Sequence, residues 1–200
     1  MSQDALPPLP TAPTPPPAAA RRPKPPAGPA LIAFGLAGAA VSLTLGAFGR
    51  LHQPAGIAVN IAGFSGPLEA KVWLASLAAA LAVVQLATAL AMYRKLWFKP
   101  PRWFGRVHRW SGRLAFLASL PVAMHCLYAL GLQSYDTRVL VHSITGCLFF
   151  GAFTVKMLTL TRRGMPHWAL PVLGGLVFTG LTVLWLTSSL WFFTTVGVRF

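Results

Sequence analysis

The stretch PVAMHCLYALGLQSYDTRVLVHSITGCLFF, residues 121–150, contains two apolar segments joined by the short polar link QSYDTR, residues 133–138. Each segment belongs to a longer apolar run, and these runs cover roughly residues 110–132 and 139–160. A run of about 20 apolar residues is long enough to cross a bilayer as a helix. The stretch therefore predicts two antiparallel transmembrane helices that lie side by side.

Three further apolar runs, roughly residues 30–49, 73–92 and 168–192, have a similar length. Only 10% of the residues are charged and 55% are hydrophobic, whereas soluble domains carry about 25% charged residues. The sequence therefore predicts an all-α membrane protein. Its fold is expected to be a bundle of five transmembrane helices within residues 30–193, followed by a short external tail at 194–200.

Lys and Arg residues are divided unevenly between the two ends of the predicted bundle. Thirteen of the 17 lie before the first span, around the link from the second span to the third, or at the link from the fourth to the fifth. Such links stay in the cytoplasm, so we expect this end to face the cytoplasm of a bacterial plasma membrane, with a cytoplasmic N-terminus and an external C-terminus. The other four basic residues are Arg50, Lys71, Arg138 and Arg199. Tryptophans suited to a membrane interface lie near the cytoplasmic end: Trp97, Trp103, Trp110 and Trp168.

The net charge of +14 does not predict a nucleic-acid partner, because the basic residues form short clusters between apolar runs. Membrane lipids are the expected partners, and the basic segment 94–113 suits anionic headgroups. Residues 1–29 are rich in proline and predict a disordered cytoplasmic tail, with a docking tether as the alternative. The loop 50–71 is predicted to be external, with a short interfacial helix or a fold over the outer mouth of the bundle.

Two histidines lie inside predicted spans at similar depths. His125 is about 10 Å below the outer edge of the third span, and His142 is about 5 Å into the fourth. An ionisable side chain inside a span indicates function, and the candidates are a proton relay, a metal ligand, a haem ligand or a structural hydrogen bond. Haem b fits best, because it needs a neutral imidazole on each face and an apolar slot. We therefore predict His125 and His142 as the axial ligands of the haem iron.

Residues around His142 suit such a slot. Gly146 lies one turn further along the helix, where the missing side chain would let a flat ring approach. Arg138, with Arg50 as a second candidate, is placed to bind haem propionates at the outer rim. Three aromatic side chains are predicted to line the slot: Phe149, Phe150 and Phe153.

His108 and His167 form a second candidate pair at the cytoplasmic end, where ordinary interfacial histidines are the alternative. They could ligate a second haem. His108 cannot share a site with His125, since seventeen residues of helix separate them by about 25 Å. His52 is expected to be a solvated loop residue, with a cap over the outer site as the alternative.

The two cysteines, Cys126 and Cys147, both lie inside apolar segments. They form neither a CxxC pair nor a CxxCH motif, which excludes a covalently attached c-type haem. A buried free thiol usually acts as a small apolar filler. We therefore predict no chemistry for either cysteine.

The segments VHRWSGRLAFLASLPVAMHCLYALG, residues 107–131, and RVLVHSITGCLFFGAFTVKML, residues 138–158, resemble small bacterial b-type cytochromes of the cytochrome b-561 and ferric reductase-like kind. The HSxxG pattern at His142 to Gly146 is similar to a haem-ligating helix start in those proteins. Residues 106–193 also resemble a group of actinobacterial membrane proteins, a likeness that supplies no activity. The resemblance to the cytochromes implies one or two b haems and electron transfer.

The leading functional hypothesis is a haem b protein that carries electrons within or across the plasma membrane. A GxGxxG dinucleotide motif is absent, so the electrons would come from quinol or from a redox partner. The alternative is a non-enzymatic accessory subunit of a larger respiratory complex, whose histidines are structural. A transporter is disfavoured by the odd number of spans and the lack of an internal repeat.

Overall fold

The structure of the protein is a computed structural model that describes residues 26–56, 60 and 63–200. Within those residues all regular secondary structure is helical, and five helical segments are long and apolar enough to cross a membrane. The predicted all-α, five-span fold is therefore confirmed. The helices are α1 (Gly28–Leu51), α2 (Pro67–Met92), α3 (Phe104–Met124), α4 (Thr137–Thr161), α5 (Ala169–Trp185) and α6 (Trp191–Thr195).

Two short π-helical segments interrupt the spans. The segment π1 (His125–Leu130) continues α3, and π2 (Leu186–Leu190) joins α5 to α6. Pro121 lies one turn before π1; it lacks a backbone N–H, which weakens the regular ladder at this point. Segments of this kind occur mostly as single turns within α-helices and are frequent at functional sites.

Several spans begin earlier than their apolar runs. Helix α2 starts at Pro67 rather than at residue 73, because Pro67 at the first helical position and Glu69 in the first turn favour a helix start. Helix α3 likewise starts at Phe104, and α1 at Gly28. The predicted tail 1–29 lies outside the described residues except for 26–29, and the predicted tail 194–200 overlaps the end of α6.

The five spans form a ring around a central space. Helix α2 packs against α3 and α5, α4 packs against α1 and α5, and α1 reaches π1. The third and fourth spans, which were predicted to lie side by side, meet through side chains such as Phe116 and Phe153, whereas the main partners of α4 are α1 and α5. Gly38 and Gly151 explain this choice: a Cβ added to Gly38 would lie 2.7 Å from the Gly151 carbonyl oxygen, so the missing side chains let α1 and α4 approach closely.

We call the two ends of the bundle the cavity end and the basic end. The cavity end contains the end of α1, the start of α2, π1 and the start of α4. The basic end contains the start of α1 and the links α2–α3 and α4–α5. A small apolar cluster between them holds the spans together: Ala78, Ala82, Ala118, Phe149 and Leu181.

At the cavity end, the link after π1 is tied to α1. Gly131 adopts a φ of 71°, which favours glycine, and the next amide, Leu132 N–H, donates to the Gly49 carbonyl at 2.6 Å. The amides of Ala55 and Gly56 donate to carbonyls of π1 at 3.1 and 3.3 Å. Residues 55 and 56 of the loop 50–71 therefore bond to π1. The described residues between α1 and α2 contain no helix, while residues 57–59, 61 and 62 lie outside the described residues.

Candidate functional site

A predominantly apolar cavity of about 510 Å³ lies between the spans at the cavity end, and all five spans contribute to its lining. Its size is typical of small-molecule and cofactor sites, which combine apolar walls with a few polar groups. The polar and thiol side chains in the lining include Lys71, Ser119, Cys126, Gln133, Tyr135, Arg138, His142, Ser143, Cys147, Thr187 and Ser188.

His142 is held at this cavity by a hydrogen bond to the fifth span. Its Nδ1 lies 2.9 Å from Thr187 Oγ1. The Thr187 hydroxyl donates to the Val183 carbonyl at 2.7 Å, so its oxygen accepts from His142. These two hydrogen bonds together assign a proton to Nδ1 of the imidazole. The lone pair of His142 Nε2 then faces the cavity, where its hydrogen-bond neighbour among the described residues is the Cys126 thiol, at 4.0 Å. Metal-binding histidines are usually oriented by this kind of hydrogen bond through the other ring nitrogen.

Arg138 lies beside His142, in the first turn of α4. Asp136 caps this helix by accepting from the Val139 amide at 2.9 Å, which fixes where the helix begins and so places Arg138. The guanidinium donates to the Thr187 carbonyl at 2.7 Å, lies 3.7 Å from the Asp136 carboxylate, and is 3.9 Å from the centre of the Trp191 ring. Arg138 is thus a fixed positive charge in the cavity wall, at the position predicted for a propionate partner.

Lys71 is the second positive charge in the lining, and the sequence analysis missed it as a site residue. It lies near the start of α2, where it was counted only for topology. No Asp or Glu among the residues that the structure describes lines the cavity. Arg50, the other predicted rim cation, is exposed at the end of α1 and does not line the cavity.

The predicted slot residues are partly in place. Gly146, Phe149 and Phe150 line the cavity, and a Cβ added to Gly146 would meet only Leu184, at 3.8 Å. Phe153 does not line the cavity. Its ring stacks instead on Phe116 of α3, with a centroid distance of 4.4 Å and an interplanar angle of 6°.

His125 does not line the cavity, and its neighbour Cys126 does. The cavity-lining residues of the third span follow a helical spacing of three and four, which defines one face: Ser119, Val122, Ala123, Cys126, Leu127 and Leu130. Cys126 Sγ lies 4.0 Å from His142 Nε2. The side chain that the third span presents to His142 is therefore the thiol of Cys126, and the role of His125 as an axial ligand stays a prediction.

A family model matches residues 31–200, which is nearly the whole described chain. The chain belongs to the DUF6529 family. The function of this family is unknown, and no curated protein or solved structure matches the chain. Membership therefore assigns no activity, and the function of this DUF6529 protein has to be argued from its own side chains.

The two histidines of the second predicted pair, His108 and His167, lie in different parts of this family member. His108 lies in the α2–α3 interface, where its Nδ1 is 2.9 Å from Thr88 Oγ1. The Thr88 hydroxyl donates to the Val84 carbonyl at 2.7 Å, which assigns the proton to Nδ1 of His108 as well. His167 is exposed in the link between α4 and α5. Neither histidine lines the cavity, and a second haem stays a prediction.

His52 is not a solvated loop residue, which corrects the expectation from the sequence. Its ring stacks on Phe48 at 4.8 Å and lies 4.6 Å from the Tyr128 ring. Its Nε2 is buried without a hydrogen-bond partner among the described residues. His52 does not line the cavity, so it packs the junction between α1 and π1.

Within residues 26–56, 60 and 63–200, no three His, Cys, Asp or Glu side chains are grouped as a metal site. A structural zinc site takes four protein ligands, whereas haem iron takes at most two from the protein. One oriented imidazole and one facing thiol in an apolar cavity with two cations are therefore compatible with a haem-type ligand.

Proposed function

We propose that this protein binds haem b in the cavity and carries electrons within or across the membrane. The observation that supports this most directly is His142, whose Nδ1 is fixed by Thr187 while its Nε2 is free inside an apolar cavity. Haem b, when bound, supplies one-electron chemistry at its iron. The chain supplies the axial imidazole, the apolar walls and the positive charges.

The charges of the lining also suit this cofactor. Lys71 and Arg138 are the basic residues of the cavity wall. The Asp136 carboxylate lies 3.7 Å from Arg138 but does not line the cavity. Haem carries two propionates, and charge-assisted hydrogen bonds from Arg and Lys are the usual way to hold carboxylates. Phe149 and Phe150 supply aromatic surface for the macrocycle. Gly146 leaves room beside the helix that carries His142.

The membrane setting follows from the same proposal. The basic end would face the cytoplasm of a bacterial plasma membrane, because it carries thirteen of the 17 Lys and Arg residues. The cavity would then open toward the external half of the membrane, with the C-terminus external. Exposed tryptophans at the basic end support an interface there: Trp97, Trp103, Trp110 and Trp168. Electrons would reach the cavity from membrane quinol or a redox partner, such as a respiratory complex.

The test is to fill the cavity while leaving the fold unchanged. Protein purified from haem-replete cells should show a Soret band and an α band that dithionite reduces. Gly146→Leu should abolish both bands, because its Cβ fits and the rest of the side chain occupies the cavity. Gly175→Leu is the matched control, since a Cβ there meets nothing within 4 Å and α5 exposes this position.

The proposal fails if the wild-type protein is colourless when purified from haem-replete cells. It also fails if Gly146→Leu retains the full Soret band while size-exclusion chromatography and far-UV circular dichroism show the same fold as the wild type.

A further inference from the structure

Cys126 and His142 are neighbours in the cavity wall and come from different spans. Cys126 lies in π1, at the end of the third span, and His142 lies near the start of the fourth. Their Sγ and Nε2 atoms are 4.0 Å apart, and both side chains are part of the cavity wall. No other cysteine or histidine side chain in the described residues is hydrogen-bonded to His142.

The two facing atoms are the ones that bind metals. His142 Nε2 carries a free lone pair because Nδ1 holds the proton and donates it to Thr187 Oγ1 at 2.9 Å. The Cys126 thiol has no hydrogen-bond acceptor among the described residues other than this nitrogen. A metal–imidazole bond is about 2.0 Å and a metal–thiolate bond about 2.3 Å, as in zinc sites, so the observed separation is near the sum of the two.

On the basis of the proposed function, we infer that Cys126, and not His125, is the protein ligand opposite His142 on the haem iron. Imidazole and thiolate are both established haem ligands. The thiol must lose its proton to bind as thiolate, and the proton leaves to water at the cavity mouth. Lys71 and Arg138, which line the same cavity, offset the negative charge that remains.

The second cysteine provides a matched comparison. Cys147 also lines the cavity, on α4, but it is buried and no histidine is bonded to it. A Cβ added to Gly46 of α1 would lie 3.9 Å from its sulfur, so Cys147 packs against the first span. An effect that comes only from the loss of a thiol in the cavity wall, and not from the loss of an iron ligand, should therefore be equal in Cys126→Ala and Cys147→Ala.

The experiment compares the ferric spectra of the purified haem protein and four variants, by absorption, electron paramagnetic resonance and magnetic circular dichroism. The wild type should be low-spin with thiolate signatures. The haem of Cys126→Ala should become high-spin or be lost. Cys126→Met should restore a low-spin form, and its midpoint potential should be raised because thioether is a neutral ligand. His125→Ala and Cys147→Ala should retain the wild-type spectrum.

A ferric spectrum that Cys126→Ala preserves overturns the inference. If that spectrum is then lost in His125→Ala, two imidazoles ligate the iron, and the proposed haem function stands without Cys126. A colourless wild-type protein would instead refute the proposed function itself. Circular dichroism of each variant identifies misfolded samples, and the Cys126→Met rescue keeps the test decisive if Cys126→Ala does not accumulate.

Discussion

Two histidine–threonine pairs, one at each end of the bundle, share the same hydrogen-bond pattern. In each pair, imidazole Nδ1 lies 2.9 Å from a threonine hydroxyl, and that hydroxyl donates to the carbonyl four residues earlier. His142 and Thr187 join α4 to the fifth span, whereas His108 and Thr88 join α3 to α2. Both imidazoles are therefore oriented by a hydrogen bond through Nδ1, and the bond pattern alone does not distinguish a ligand from a structural side chain.

The surroundings of the two pairs differ. Gln85 fills the interface beside His108, where it donates to the His108 carbonyl and, at 2.7 Å, to Ser111 Oγ. Around His142 the spans diverge and leave the cavity. An intramembrane histidine is therefore a candidate ligand when space for a ligand exists at the ring nitrogen that does not carry the proton. Variants of the two pairs test this rule.

Removal of the imidazoles should have the largest effect. His142→Ala should abolish the Soret band, because it deletes the oriented Nε2 in the cavity. His108→Ala should retain the band, since His108 does not line the cavity. Absorption spectra of equal amounts of purified protein measure both. Loss of part of the band in His108→Ala would show that the pair at the basic end also holds a haem, and the contrast between the pairs would be lost.

Removal of the orienting hydroxyls should have the next largest effect. Thr187→Val keeps the side-chain shape but removes the acceptor for His142 Nδ1, and loss of such a bond typically costs 10–100-fold in affinity. We expect a decrease of about that size in haem affinity, measured by titration of the haem-free protein. The matched variant Thr88→Val should bind haem like the wild type. Equal affinities in both variants would contradict an orienting role for Thr187.

Gln85→Leu should weaken the packed pair without affecting the cavity. It removes two hydrogen bonds between α2 and α3, and interhelical hydrogen bonds in membranes contribute about 0.6 kcal/mol on average. We expect a loss of about 1 kcal/mol in stability, measured by thermal unfolding in detergent, with an unchanged Soret band. Thr154→Val is the control, because within the described residues the Thr154 hydroxyl bonds only to the Phe150 carbonyl of its own helix. A changed spectrum would mean that the two ends are coupled.

Lys71→Gln should have the smallest effect. A positive charge at the cavity wall favours the reduced haem, which carries one positive charge less than the oxidised haem. Its removal should therefore lower the midpoint potential, by no more than about 60 mV, the one-electron equivalent of a tenfold change in equilibrium. Arg109→Gln, at the basic end, should leave the potential unchanged. Potentiometric titration measures both, and an unchanged potential for Lys71→Gln would place its charge away from the haem.

Much of the fold could be predicted from the sequence. The five spans follow from apolar runs of bilayer length, and their number does not depend on how the helices pack. The helix starts were predicted less well. Pro67 and Phe104 lie outside the apolar runs, so hydropathy alone placed the starts of α2 and α3 several residues too late.

The candidate site was predicted in part. His142, Arg138 and Gly146 line the cavity, and they are close in sequence on one helix, so local spacing was enough to group them. Thr187 and Lys71 were missed because they come from other spans. A signal for Cys126 was present, since it follows Ser119 by seven residues, or about two helical turns. Which face of the third span points inward could not be deduced from that spacing.

The class of molecule, the number of spans and the presence of histidines and thiols at membrane depth follow from the sequence alone. Which of these side chains come into contact is visible only in the tertiary structure. The reason is that these helices are apolar on nearly all sides, so hydropathy does not fix their rotation or their neighbours. Close contacts such as Gly38 with Gly151 select the neighbours, and that selection leaves the cavity in which Cys126 faces His142.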